Sequence, residues 1–372
     1  MNLVGLALRN LRRRPIRTGL SVLGIGLAVG SALALIALSR SIKDSTREGL
    51  NEMGDDLVVM KKGASDIFGG FIPEQTIERV AALPGVARVS GELLMFAPSV
   101  NDRSVLTQGW PDTSYLWAKV PLREGRVPSA GEHHVAVLGE AAAASLGKKL
   151  HDDVDILGET FNVIGIANYT SIINRGLALI LLSDMQKASH RPQQVTMAHV
   201  VLERGASPKE LVRVKDAIES LGNLTASTAN EVLSKDRNFA ILEAVSLAVS
   251  IIAVVMGAIY VLNALVMATQ ERTREIGIFA AIGWSRQRIM ASIVIEGILL
   301  CLIGCGLGLV LSFLAAQAFP RIPAIGNLIS VKPNAALIAP ILAATFVLCI
   351  LGSLFPAWRA VRMLPAEALR RI

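Results

Sequence analysis

Cysteine is nearly missing: the 372 residues hold three, Cys301, Cys305 and Cys349, all inside long apolar runs. No disulfide can therefore brace the polar part of the chain, and no metal-ligand spacing exists. Acidic residues are scarce at the two ends, with only five outside residues 42–237. A phosphate loop is lacking too. Gly147-Lys148-Lys149 has Ala142 where the motif needs its first glycine, and Lys149 where it needs a hydroxyl. Adjacent His133 and His134 would face opposite sides of a strand, so they cannot share a metal and read as surface histidines. No small-residue cleavage site follows the first apolar run, which is also too long for a signal peptide and reads as an uncleaved span.

What the sequence does hold is apolar length. Hydrophobic residues make up 52% and charged residues 18%, a balance that points to a membrane protein with a large water-facing part. Four runs, at about 19–39, 239–268, 289–319 and 335–357, reach the ~20 residues that ~30 Å of hydrocarbon demands. Residues 42–237 form a polar block far too long for a loop, hence a folded domain.

The net charge of +7 belongs to the membrane part. Residues 42–237 carry 21 basic and 25 acidic side chains, which excludes a basic nucleic-acid-binding domain. The remaining arginines, such as Arg12, Arg13, Arg272, Arg274, Arg359 and Arg362, cluster at one set of run ends, while the loop 320–334 has only Arg321 and Lys332. By the positive-inside rule both termini and residues 269–288 are cytoplasmic, and the large domain lies outside.

The expected layout follows. Residues 1–16 form a cytoplasmic amphipathic helix, with Leu3, Val4, Ala7, Leu8 and Leu11 on one face and arginines on another; the bland alternative is a frayed basic tail. Residues 17–41 are the first span and the start of a stalk, and 42–237 an extracytoplasmic α+β domain. Residues 238–268 are the second span with stalk, and 269–288 a cytoplasmic loop. Then come the third span at 289–319, a short outer loop at 320–334, the fourth span at 335–357 and a cytoplasmic tail at 358–372.

Within the large domain, "DDLVVMKK", "ETFNVIGIANY" and "MAHVVLER" read as strands. "EHHVAVLGEAAAASLG" reads as a strand entering a helix closed by Gly147, and Ser207 caps a helix to Leu221. Trp110, Tyr115 and Trp117 suit a core or hinge, or else a binding surface. Gly26/Gly30 and Gly304/Gly308 are small-residue pairs suited to close helix approach, within one chain or between two. Glu243 and Glu296 lie within spans, where carboxylates face protein, water or ligand; both are candidates for a substrate or gating role, with structural hydrogen bonding the competing reading for Glu296.

The stretch "QERTREIGIFAAIGWSRQRI" places Ile276, Phe279, Ala280 and Gly283 on one helical stripe. Facing the cytoplasm, that stripe must be buried by the bilayer surface or by a partner. With "EGILLCLIGCGLGLVLS" after it, the stretch resembles FtsX-like or MacB-like permeases of ABC transporters. "LALRNLRRRPIRTGLSVLGIGLAVG" is similar to that family's first span and "PAWRAVRMLPAEALR" to its closing segment. "LREGRVPSAGEHHVAVLGEAAAASLGKK" and "FNVIGI" are similar to the MacB-type periplasmic core domain.

The resemblance implies a non-catalytic permease of a type VII, mechanotransmission ABC system in the bacterial inner membrane. It implies no cofactor of its own, ATP bound by a separate ABC ATPase dimer, a second permease copy as homodimer partner, and room for a periplasmic adaptor. A coupling helix that docks on the ATPase would fall on Arg272, Glu275, Ile276, Gly277, Ile278, Phe279 and Gly283. Ala280, Ala281 and Trp284 depart from the family pattern. The expected task is export or extraction of an amphipathic substrate such as a drug, haem, lipid or lipoprotein; the alternative is a signal relay to an outer partner such as a cell-wall hydrolase.

Overall fold

The computed structural model describes residues 3–64, 67–99, 104–203, 206–235, 237–318 and 335–362. The expected loop at 320–334 and most of the tail at 358–372 lie outside the described residues.

The chain opens with α1 (Leu3–Arg13) and α2 (Pro15–Met53), then β1 (Leu57–Lys61), β2 (Ile72–Pro73) and α3 (Glu74–Ala81). There follow β3 (Val86–Pro98), β4 (Ser104–Trp110), β5 (Leu122–Gly125), β6 (Val135–Gly139) and α4 (Glu140–Leu146). Next are β7 (Asp153–Ile156), β8 (Glu159–Ala167), α5 (Ile172–Arg175), β9 (Leu177–Leu181) and α6 (Leu182–Ala188). The middle of the chain closes with β10 (Gln194–Val195), β11 (Met197–Leu202), α7 (Pro208–Ser220), β12 (Leu224–Ser227) and α8 (Ala229–Lys235). Last come α9 (Arg237–Glu271), α10 (Thr273–Ala281), α11 (Arg286–Ala318) and α12 (Ala335–Val361). By its contacts the chain divides into two units, one of residues 40–242 and one holding residues 1–39, 243–318 and the C-terminal helix.

In the first unit a mixed sheet runs β12-β1-β11-β3-β4-β9-β6-β8-β5, with β7 on β8. Two pairs, β4 with β9 and β6 with β8, are parallel, and the others in this sheet are antiparallel. Both faces are covered, as β9 shows: Ala178 and Ile180 point into one core, Leu177, Leu179 and Leu181 into another. A strand buried on both sides reads as a continuous apolar run, and "LALIL" does. The first core takes Ile77, Ala142, Met185 and Val214 from α3, α4, α6 and α7. The second takes Met53 from α2, Trp110 and Trp117, whose rings meet edge-on at 5.0 Å. These tryptophans are core, not a binding surface.

Local signals behave as their chemistry dictates. Ser207 accepts from the Glu210 N–H while the Glu210 carboxylate accepts from the Ser207 N–H, a full capping box. Gly147 ends α4 at φ +66°, a left-handed conformation that glycine adopts without strain. His133 and His134 precede β6 instead of lying in it; His133 Nδ1 meets Asp184 at 2.8 Å.

In the second unit α2, α9, α11 and α12 are long and apolar enough to cross a bilayer. Ile25, Val29 and Leu33 form one stripe of α2 and join Val261, Leu265, Ile293 and Cys349 in a shared core. The glycine pairs meet one another within this chain. A Cβ on Gly304 would lie 2.6 Å from Ile25 Cγ2, one on Gly308 2.8 Å from Val29 Cβ, and one on Gly30 3.1 Å from the Gly308 carbonyl oxygen. Helix α2 continues in sequence to Met53, past the boundary expected at 42, because "SRSIKDSTREGLNEM" contains no proline and only one glycine, Gly49.

Candidate functional site: the α10 helix and its polar anchor

Helix α10 exists because α9 breaks at Arg272, whose backbone leaves the helical region at φ −107°, ψ 17°. The Thr273 hydroxyl donates to the Gln270 carbonyl oxygen at 2.8 Å, closing the end of α9 while α10 begins. At the other end Gly283 takes φ +94°, open only to glycine without strain. The Ser285 hydroxyl then accepts from the Arg288 N–H at 3.3 Å and starts α11. Phe279 and Trp284 stack at 4.6 Å, and the Arg288 guanidinium lies 4.5 Å over the Trp284 ring.

The face that α10 leaves open differs from the expected one. Ile276, 9% exposed, belongs to the bundle core, with Ala280 and Trp284 packed around it. Gly277 is buried and Phe279 half-buried. Gly283 lies past the end of the helix, so it drops out of the stripe. The open apolar pair is Ile278 and Ile282, 41% and 72% exposed, one turn apart. The bundle takes the stripe that periodicity left to the bilayer surface or a partner, and the next apolar edge is the one presented.

Charges tie α10 to its neighbours. Glu296, 3% exposed, has its Oε2 3.2 Å from Arg272 Nη1 and 3.4 Å from Asn10 Nδ2. Arg272 Nε also donates to Glu275 at 2.9 Å. Glu275 lies 3.6 Å from Arg13, and Glu271 pairs with Arg14 at 3.0 Å and Arg17 at 2.6 Å. Asn10 is buried with Ala7 and Leu11 on the inner face of α1, whereas Val4 and Leu8 are exposed. Glu296 is thus held by structural hydrogen bonds and borders a cavity of about 930 Å³ together with Arg13, Arg17 and Tyr260. Glu243 is exposed near the start of α9, outside that cavity's lining.

One polar cluster was not visible in the sequence. In the sheet unit, buried His199 lies between Asp55 and Glu92, with its Nε2 2.9 Å from Glu92 Oε2 and its Nδ1 bonded to Asp55 Oδ2. Trp110 Nε1 donates to the same Glu92 oxygen at 2.7 Å. Burial pulls the His199 pKa down, but the two carboxylates more than offset it and raise it to about 10, so the ring is an imidazolium. Among the described residues no group of three or more His, Cys, Asp or Glu side chains is arranged to hold a metal ion.

Residues 18–219 match the MacB-like periplasmic core domain, and residues 247–365 match the FtsX-like permease C-terminal domain. The chain belongs to the MacB/FtsX-type family of ABC transporter permeases. It is similar to an ABC transporter permease of Mycobacterium tuberculosis (strain ATCC 25618 / H37Rv), 26% identical with 97% of this chain and 98% of the relative aligned. It is also 25% identical to the macrolide export ATP-binding/permease protein MacB of Nitrosomonas europaea, over 80% of this chain but 49% of that longer protein. The periplasmic region of MacB from Actinobacillus actinomycetemcomitans aligns with 51% of this chain and 96% of its own, at 13% identity and a TM-score of 0.41. The four apolar helices and the family together make this a multi-pass membrane permease.

Proposed function

We propose that this chain is the non-catalytic membrane subunit of an inner-membrane ABC exporter. A separate ATPase grips α10, and ATP-driven closure of that ATPase moves the sheet unit by mechanotransmission to expel an amphipathic substrate. Both termini and α10 are cytoplasmic, the sheet unit is extracytoplasmic, and two copies of the chain work together.

The observation that carries this reading is the division of α10 into two edges. Ile276 is seated in the bundle core, so the helix is anchored; Ile278 and Ile282 are presented, so it has something to offer. An exposed apolar pair on a polar-flanked helix suits a protein cleft, and the surrounding arginines and glutamates suit a register-fixing rim. Helices α2 and α9 are 39 and 35 residues long, ~50–60 Å at the helical rise, against ~30 Å of hydrocarbon. That excess length supports a mechanical link in place of a pore.

The test is copurification of the full-length chain with its ATPase. Ile278→Asp with Ile282→Asp should release the ATPase while leaving the permease folded. Retention of the ATPase by that double variant overturns the docking assignment. Reconstituted vesicles then test export directly: ATP-dependent movement of a candidate amphiphile supports it, and turnover that responds only to an outer protein partner indicates a relay instead.

A further inference from the structure

The sheet unit contains an apolar cavity of about 300 Å³. Its floor is one face of the sheet: Glu92, Leu94 and Phe96 from β3, Leu106 and Gln108 from β4, and Met197 and His199 from β11. These positions alternate along each strand, as residues on one face must. Its roof is one face of the end of α2, with Ile42, Thr46, Gly49, Leu50 and Met53 at helical spacing. Phe68 and Phe96 stand at the wall with rings 5.3 Å apart, and Phe96 is 49% exposed, which marks the way in.

Two oxygens in this lining stand out. Glu92 Oε1 and Gln108 Oε1 are buried and have no hydrogen-bond partner, although Glu92 uses its other oxygen twice, for Trp110 and His199. Leaving a buried acceptor unmet is costly, and more so for a charged one. A carboxylate oxygen can only accept, so whatever satisfies it must donate. The cluster sets two acidic side chains, Asp55 and Glu92, against the single basic ring of His199, which favours a cation and disfavours an anion.

We infer that this cavity binds a single-chain cationic amphiphile, its chain between α2 and the sheet and its protonated amine donating to Glu92 and Gln108. The volume sits at the lower end of small-molecule sites, ~300–1,000 Å³, which suits one unbranched chain and is tight for a large ring. The inference goes beyond the export reading and does not rest on it, because binding needs neither the ATPase nor its docking helix.

The test uses the full-length chain in lipid nanodiscs with radiolabelled dodecylamine as the probe and empty nanodiscs as the partition control. Saturable binding is expected above the empty discs, with dodecanoate competing at least about tenfold more weakly than unlabelled dodecylamine. Leu106→Trp, which fills the cavity, should abolish the saturable part. Glu92→Gln should weaken the amine about tenfold. Should that variant fail to fold, Gln108→Leu serves, since it leaves the Trp110 and His199 bonds in place, and it too should weaken the amine several-fold. No saturable binding in the unaltered protein, undiminished binding in Leu106→Trp, or equal competition by dodecanoate overturns the inference.

Discussion

Gly304 of α11 faces Ile25 of α2 so closely that a Cβ would stand 2.6 Å from Ile25 Cγ2, closer than real contacts allow. Gly304→Val should therefore force the two helices apart and cost roughly 1–3 kcal/mol, seen as a lower thermal-unfolding midpoint in detergent. Gly306, around which nothing lies within 4 Å, provides the control: Gly306→Ala should leave the midpoint unchanged or slightly raised.

Arg272 is the charged partner of buried Glu296. Arg272→Met leaves that carboxylate with Asn10 alone, and stranding a buried charge costs about 3–5 kcal/mol. Adding Glu296→Met removes the stranded charge and should recover most of the loss. A double-mutant cycle of unfolding midpoints checks this; additive losses would mean that the pair does not interact.

Ile276→Asp and Ile278→Asp should fail in different ways. The first buries a carboxylate among Leu265, Ile289 and Ile293 and should reduce folded yield by a mechanism costing several kcal/mol. The second lies on an exposed edge and should leave yield and unfolding midpoint within about 0.5 kcal/mol of the parent. Size-exclusion profiles of the isolated permease distinguish the two, with no ATPase present.

The sheet unit should lose stability in alkali. His199 titrates near 10 in the folded protein against about 6.5 unfolded, so between those values the folded state binds the extra proton. Its stabilising effect is full below about pH 6.5 and is lost as pH rises through 10. At the other extreme Glu132, held by Arg126 and the Ser129 N–H, is lowered to about 2; its small contribution is present above about pH 4.5 and lost on falling through 2. Unfolding followed by tryptophan fluorescence from pH 6 to 10.5 should show a falling midpoint. A midpoint that rises with pH across that interval would contradict the imidazolium assignment.

Much of this architecture is readable from residues alone because its causes are local. Ser207 with Glu210, Gly147 at a left-handed corner, and the period-2 runs of β8 and β11 each act within a few positions. The face of α10 was not readable: isoleucine stands at 276, 278 and 282, and periodicity marks apolar edges without saying which one the neighbouring helices will take. The meeting of Gly26/Gly30 with Gly304/Gly308 and the His199 cluster escaped for another reason. The partners of His199 are 144 and 107 residues away, a distance over which no spacing rule operates.

Strand β3 pairs with β11 along Val86–Glu92 and with β4 along Leu93–Pro98. A sliding motion between the two halves of the sheet would have to tear one of those ladders, because a single backbone is stitched into both. The two halves of the sheet are therefore held as one plate, and its slowest-exchanging amides should lie along this seam.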